Sequence, residues 1–246
     1  MEKYIVEVDN LTIRFNMASE KVDNLKEYVI KLVKKELNFK EFLALQDVSL
    51  KVKKGEAWAL IGVNGSGKST LLKAISGILK PYKGTVSVYG EIAPLIELGA
   101  GFDGNLTARE NIYLNGTVLG HSKKFMDHHF DEIVDFAELW NFLDTPIKNF
   151  SSGMKARLGF SVATMVAPDV LIVDEILAVG DFLFRKKCTE RMNQMLSGGT
   201  TLLYVSHNID SVKELCTHAL WLDQGRVRSA GEVNEVCDEY EKLEKK

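Results

Sequence analysis

A chain of 246 residues suits one large α/β domain or two modest ones and can bury a substantial core. Its 31 Lys and Arg nearly balance 34 Asp and Glu, and 46% hydrophobic content is ordinary for a globular chain, so no global positive field marks it as a nucleic-acid binder. Three cysteines, Cys188, Cys216 and Cys237, lie too far apart for a CxxC metal or redox site or a disulfide framework, and no apolar run reaches the ~20 residues of a membrane span.

The opening MEKYIVEVDN carries no basic-then-apolar leader. IVEVDNLTIRF alternates apolar and polar residues and predicts one or two half-buried strands. The period then changes. In SEKVDNLKEYVIKLVKKELNF, Val22, Leu25, Val29, Leu32, Val33 and Leu37 share one face of a helix, with Lys21, Lys31, Lys34 and Lys35 largely on the other. LALQDVSLKVKKGEAWALIG reads as a strand, a turn at Lys54-Gly55 and a short buried strand ending at Gly62. STLLKAISGIL predicts a helix, and GTVSVYGEIAPLIEL predicts strand again.

From about Thr107 to Ala167 the period is helical, in ARENIYLNGTVLG, KFMDHHFDEIVDFAEL and GMKARLGFSVATMV. DVLIVDE and TTLLYVSH are continuously apolar, as strands buried on both faces of a parallel sheet are. HALWLDQGRVRSAG predicts a hairpin turning at Asp223-Gln224-Gly225, and VNEVCDEYEKLEKK a closing helix. With no internal repeat or low-complexity linker, the expectation is one domain, 1–246, carrying an amphipathic helical insert at 17–41 and a helical subdomain at 105–167. The insert is long for a connection between strands, and its pattern fits either an interfacial helix or one packed on its own domain.

Gly62-Val63-Asn64-Gly65-Ser66-Gly67-Lys68-Ser69, followed by Thr70, fits G-x-x-x-x-G-K-[ST] between a predicted strand and a predicted helix. Glycines let successive backbone N–H groups turn around phosphate oxygens, and the helix N-terminus adds its positive end. Lys68 supplies a point charge to the β- and γ-phosphates, and the Ser69 hydroxyl can hold Mg²⁺. Asp174 ends the buried strand DVLIVDE, where a carboxylate is costly unless it faces a cation. Glu175 follows and suits a general base. His207 ends TTLLYVSH on the same carboxyl edge, within reach of the γ-phosphate. His128-His129 lacks any zinc-ligand spacing and reads as a solvated helix face.

In order and spacing, these residues resemble the nucleotide-binding subunit of an ABC transporter, with Walker A at Gly62 to Ser69 and Walker B at Val170 to Asp174. FSSGMKARLGFSVA stands where that family has its LSGGQ signature, and AVGD (Ala178 to Asp181) matches its D-loop. Phe150 and Met154 replace the usual Leu and Gln, Gly180 replaces a leucine, and Glu97 stands at the expected Q-loop glutamine. LIELGAGFDGNLTARENIYLNG, SSGM and DEILAVGD together resemble the ATPases that drive export of lipid-linked polysaccharides, O-antigen and wall teichoic acid.

The resemblance implies an α/β fold of the P-loop NTPase type: a RecA-like, mostly parallel core, an antiparallel β subdomain and an inserted α-helical subdomain. It implies ATP hydrolysis with Mg²⁺ by a head-to-tail dimer, in which Ser151, Ser152 and Gly153 of one copy contact the γ-phosphate held by the other and Asp181 lies at the crossing. It further implies a polytopic membrane permease as partner, a peripheral place on the cytoplasmic face of the bacterial membrane, and no nucleic acid. The lipid-linked glycan is met indirectly or through the insert. The aromatic platform for adenine falls on Phe15 when counted from the left of the insert and on Phe42 when counted from the right; either also fits a core position. Glu97 can ligate Mg²⁺ or hold water, although its charge repels the γ-phosphate unless the metal intervenes. A soluble ABC ATPase of DNA repair, Fe–S assembly or translation is the competing class; the long coiled coil, zinc hook or second cassette of such proteins is not in this sequence.

Overall fold

The computed structural model describes residues 4–18, 39–95, 101–174, 181–206 and 208–244. The alternating N-terminal segment forms one long strand, β1 (Tyr4–Ala18), paired antiparallel with β2 (Phe39–Lys53). The chain turns at Lys54-Gly55 and enters β3 (Ala57–Ile61), a wholly buried strand. Helix α1 (Lys68–Ile75) follows, shorter than STLLKAISGIL suggests, because Ser76 and Gly77 already turn their N–H groups back onto its last carbonyls. The expected single strand after it is two strands, β4 (Lys83–Val88) and β5 (Ile92–Leu95), which belong to different sheets.

One sheet is antiparallel, in the order β2-β1-β4. The other contains β6 (Val170–Asp174), β7 (Thr201–Val205), β8 (His218–Asp223) and β9 (Arg226–Glu232), in the order β5-β6-β7-β3-β8-β9. Every neighbouring pair in it is parallel except the β8-β9 hairpin. Its middle strands are the continuous apolar runs, which need no polar face because both of their faces are covered.

One covering layer joins the two sheets. Leu60, Ile172 and Val205 of the parallel sheet share a core with Val6 and Leu50 of the antiparallel sheet and Leu72 of α1. On the opposite face, Ile61, Val173 and Tyr204 pack on α5 (Phe182–Ser197) and α7 (Val233–Glu244), with α6 (Ile209–Leu215) alongside. Between β5 and β6 the chain builds α2 (Ala108–Val118), α3 (Lys123–Ala137) and α4 (Ser152–Ala163), which enclose a separate core around Ile112, Met126, Ile133 and Leu158. Thr107 and Glu110 close the start of α2 as a reciprocal capping box.

Two helices, α5 and α6, lie where no element is expected from the sequence pattern. In α5 the buried Phe184, Cys188, Met192 and Met195 do fall on one stripe, but polar residues crowd its edges. The expected helical insert at 17–41 begins and ends in strand, with Met17 opposite Lys40 and Ala18 opposite Phe39. Residues 19–38 lie outside the described residues.

Candidate nucleotide-binding site

The parallel strands β3, β6 and β7 all finish on one edge of the sheet, which places Gly62, Asp174 and Val205 side by side. A ligand site at the carboxyl ends of such strands follows from their shared direction. From that edge Gly62 to Ser69 curls into α1. Gly62 has φ +140°, and a Cβ there would stand 2.2 Å from the Leu222 carbonyl oxygen and 2.8 Å from Ser66 Oγ. The far hairpin supports the loop from below. Gly225, at φ +76°, donates its N–H to the Ser66 carbonyl at 3.0 Å, and its own carbonyl accepts the Gln46 N–H at 2.8 Å. A side chain at Gly225 would strike the Ala44 carbonyl oxygen at 2.6 Å.

Helix α1 starts after Gly67 with no side chain capping its N-terminus, which leaves the positive end of the helix to a ligand. Lys68 is only 6% exposed, and its Nζ donates to the Gly62 carbonyl at 2.6 Å and the Val63 carbonyl at 3.0 Å. The loop therefore holds the ammonium across its own mouth. Ser66 is 2% exposed and turns its hydroxyl inward, where Oγ has no hydrogen-bond partner among the described residues. Its contribution to the loop is main-chain: the N–H donates to the Val63 carbonyl at 3.1 Å, and the carbonyl meets Gly225.

Ser69 Oγ donates to Asp174 Oδ2 at 3.2 Å. Two oxygens that neighbour each other on an octahedral Mg²⁺ stand about 3 Å apart, since each lies about 2.1 Å from the ion. The hydroxyl and carboxylate fit that cation. No cluster of three or more His, Cys, Asp or Glu suited to a metal exists among the described residues.

An open cleft of about 360 Å³ joins these groups, lined by Asn64, Gly65, Gly67, Lys68, Ser69, Thr70 and Asp174 together with Phe15, Phe42 and Ala44. Phe15 and Phe42 are direct partners across the β1-β2 ladder, so both rings stand on one face of the ribbon. They are 38% and 50% exposed, which sets aside the core alternative for either. Both alternatives, Phe15 and Phe42, line the cleft. Ala44, two residues along the same strand from Phe42, joins the cleft through the period of two that also finds it in the sequence. The Gln46 and Gly225 supports carry no such signal.

Ser151, Ser152, Gly153 and Asp181 do not line this cleft. Ser151 caps α4, its Oγ accepting the Met154 N–H at 3.2 Å, and Ser152 is exposed. Asp181 caps α5, its Oδ1 accepting the Phe184 N–H at 3.0 Å. Glu97, Glu175 and His207 lie outside the described residues. All three cysteines are free and buried, and burial pushes the thiols of Cys188 and Cys216 up to about 12, which suits packing and not nucleophilic chemistry.

The family profile described as ABC transporter matches residues 45–178. The chain is 47% identical over 204 residues to the O-antigen export system ATP-binding protein RfbB of Klebsiella pneumoniae, covering 83% of each. It is 40% identical over 243 residues to the teichoic acids export ATP-binding protein TagH of Bacillus anthracis, covering 99% of this chain but 43% of that one. Among solved structures, an ATP-binding subunit of an ABC transporter superposes with a TM-score of 0.75 at 24% identity, over 96% of this chain and 93% of the other. A dimeric ATP-binding cassette in a post-hydrolysis state with ADP and Pi gives 0.73 at 22%, over 93% and 98%.

Proposed function

The chain belongs to the ABC transporter family of ATP-binding, ATP-hydrolysing subunits, and from that premise we propose that it powers export of a lipid-linked polysaccharide, O-antigen or wall teichoic acid in class, across the cytoplasmic membrane. The ATPase reading is carried by one cleft that brings together the clamped Lys68, the Ser69–Asp174 pair and the facing Phe15 and Phe42. The cargo class is supported by the two export relatives, which match 83% and 99% of the chain.

In this reading Phe15 and Phe42 flank the base, while Asn64, Gly65, Ser66, Gly67 and Thr70 line the triphosphate through their N–H groups and the start of α1. Lys68 releases the Gly62 and Val63 carbonyls and takes the β- and γ-phosphate oxygens in their place. Ser69 and Asp174 hold Mg²⁺, which when bound neutralises charge on the phosphate oxygens. Glu175 draws a proton from the attacking water, and His207 donates to the γ-phosphate. Glu97 acts as a structural and signalling group beside the metal. The exposed Ser151-Ser152 start of α4, with Gly153, serves a second copy's nucleotide, which explains why it stands away from the cleft of its own chain.

ATP thus closes a head-to-tail dimer, hydrolysis reopens it, and the helical subdomain at 105–167 carries the motion to a polytopic permease. No described helix is long and apolar enough to cross a membrane, which fits a peripheral subunit on the cytoplasmic face. The segment 17–41, whose two ends lie in β1 and β2, serves the permease side. Deleting residues 19–37 is expected to spare ATP binding and uncouple transport, and full export by that variant sinks this role.

Glu175→Gln tests the chemistry: ATP remains bound while steady-state hydrolysis falls strongly, and near-normal turnover contradicts the assignment. The same variant, tagged and purified from its native cells in mild detergent with ATP, is expected to bring down one polytopic permease. Ribosomal or DNA-bound partners without a membrane protein would overturn the export reading.

A further inference from the structure

Among the polar ties between the helical unit and α5 is one arginine that the roles above do not use. Arg157 lies in the second turn of α4, and its side chain is 17% exposed. Its Nη1 donates to Glu138 Oε2 at 2.6 Å, and its Nη2 donates to Asp181 Oδ2. The guanidinium also lies 4.7 Å from the centroid of the Phe184 ring.

Each carboxylate marks the end of a different helix. Glu138 terminates α3 in the left-handed conformation, φ 60° and ψ 43°, which a non-glycine residue adopts at a cost. A second cation, Lys187 of α5, supports it at 3.2 Å and also donates to the Phe136 carbonyl at 3.1 Å. Asp181 begins α5, directly after the stretch that leaves β6 at Asp174. The Phe184 N–H and then Arg157 hold the Asp181 carboxyl below its ordinary value, and Arg157 is foremost in doing the same to Glu138.

Beneath the fork, Phe136 of α3, Phe160 of α4 and Phe184 of α5 pack together with ring centroids 5.8, 5.8 and 6.3 Å apart. Apolar packing of this kind holds elements together without fixing their register. A planar guanidinium gripped by two carboxylates fixes direction.

We propose that Arg157 is a positioning residue for ATP hydrolysis. It ties α4, whose N-terminal end carries Ser151–Gly153, to Asp181 at the start of α5, so the helical unit and α5 move as one body. The inference rests on the ATPase reading above. Partly exposed ion pairs contribute little to stability, so the loss of this one is read in turnover and not in melting.

The test uses the full chain in four forms beside the parent: Arg157→Met, Arg157→Lys, Asp181→Asn and the Arg157→Met/Asp181→Asn double variant. ATP hydrolysis, binding of a fluorescent ATP analogue and melting temperature are measured on each. Arg157→Met is expected to lower kcat about tenfold, the scale of a small misplacement, with nucleotide Kd within about twofold and melting almost unmoved. Arg157→Lys recovers part of the loss, because an ammonium reaches one carboxylate and not both. The double variant falls no further than Arg157→Met, since both changes cut the same tie. A kcat for Arg157→Met within about twofold of the parent overturns the proposal, as do losses that multiply in the double variant. Weaker nucleotide binding together with a lowered melting temperature also overturns it, by revealing a plain structural role. A parent that binds nucleotide and hydrolyses none overturns the ATPase reading itself, and this inference with it; the parent control tells the two failures apart.

Discussion

Around Gly62 to Ser69 the main chain does the holding, whereas between α3, α4 and α5 charged side chains do. The loop is closed by carbonyls and N–H groups, with Lys68 clamped by two of its own carbonyls and Gly225 bonded beneath Ser66. The joint is closed by Arg157 on Glu138 and Asp181, by Lys187 on Glu138, and by Arg191 on Glu132 at 3.1 Å. At Gly62, Gly67 and Gly225 the main-chain cradle has no room for one added carbon. A side-chain joint tolerates added carbons and is screened by salt. The nucleotide loop is held by main-chain contacts that leave little space at Gly62, and the joint by side-chain contacts that can be removed one at a time.

The largest expected effect breaks the cradle. Gly62→Ala places its methyl 2.2 Å from a main-chain oxygen, so ATP affinity is expected to fall about 100-fold or more in a nucleotide-binding titration. A near-normal Kd would mean that the loop yields as the joint does, and the contrast would be gone. Next, chelating the divalent cation is expected to abolish hydrolysis, and Asp174→Asn to lower kcat about 100-fold while the loop still binds nucleotide. Unchanged turnover in either case removes the Ser69–Asp174 pair from the metal side.

A smaller effect concerns the aromatic pair. Base stacking on an aromatic ring is worth about 1–3 kcal/mol, so Phe15→Ala and Phe42→Ala are each expected to weaken ATP binding about tenfold. Because the two rings stand on one face, the double variant should lose less than the product of the singles. An unchanged affinity in either single variant would show that its ring lines the cleft without touching the base.

At the joint, Lys187→Ala is expected to cost no more than about 1 kcal/mol in denaturant unfolding, shrinking with added salt. The pH dependence has a definite sign. Glu138 and Asp181 are held below their ordinary values, so their contribution is full above the unfolded-state range near pH 4 and is lost as pH falls through the lowered values. Melting should therefore be insensitive to these groups across neutral pH and become sensitive only in acid. The smallest effect is an absence: Cys188, Cys216 and Cys237 should resist a thiol-alkylating reagent in the native protein at neutral pH and react on unfolding, because burial keeps the thiols protonated. Rapid native labelling would show that the covering layer of α5, α6 and α7 opens readily.

The same contrast governs what the sequence discloses. The cradle is legible because its geometry is its sequence: glycine spacing, the lysine and the flanking apolar runs are all local. The buried strands β6 and β7 are legible for the same reason. The register of β1 against β2 is not, since the pairing of Phe15 with Phe42 spans the long segment between them and no local count can supply it. GTVSVYGEIAPLIEL conceals a change of sheet because partners lie elsewhere: β4 pairs with β1 and β5 with β6. Helix α5 escapes notice because its buried stripe is narrow among polar neighbours. Arg157 carries no signal at all, as its carboxylates stand 19 and 24 residues away along the chain. The proposed roles of Glu97, Glu175 and His207 rest on sequence order alone, since these residues lie outside those described.

The hairpin bond from Gly225 to Ser66 also bears on how the protein is made. The phosphate loop leaves the ribosome early, yet β8, which flanks β3, and the turn that supports the loop leave it much later. A nascent chain that already displays the whole loop therefore lacks its floor. The grip on nucleotide appears late in synthesis and all at once, so an interrupted product carries the motif without the affinity.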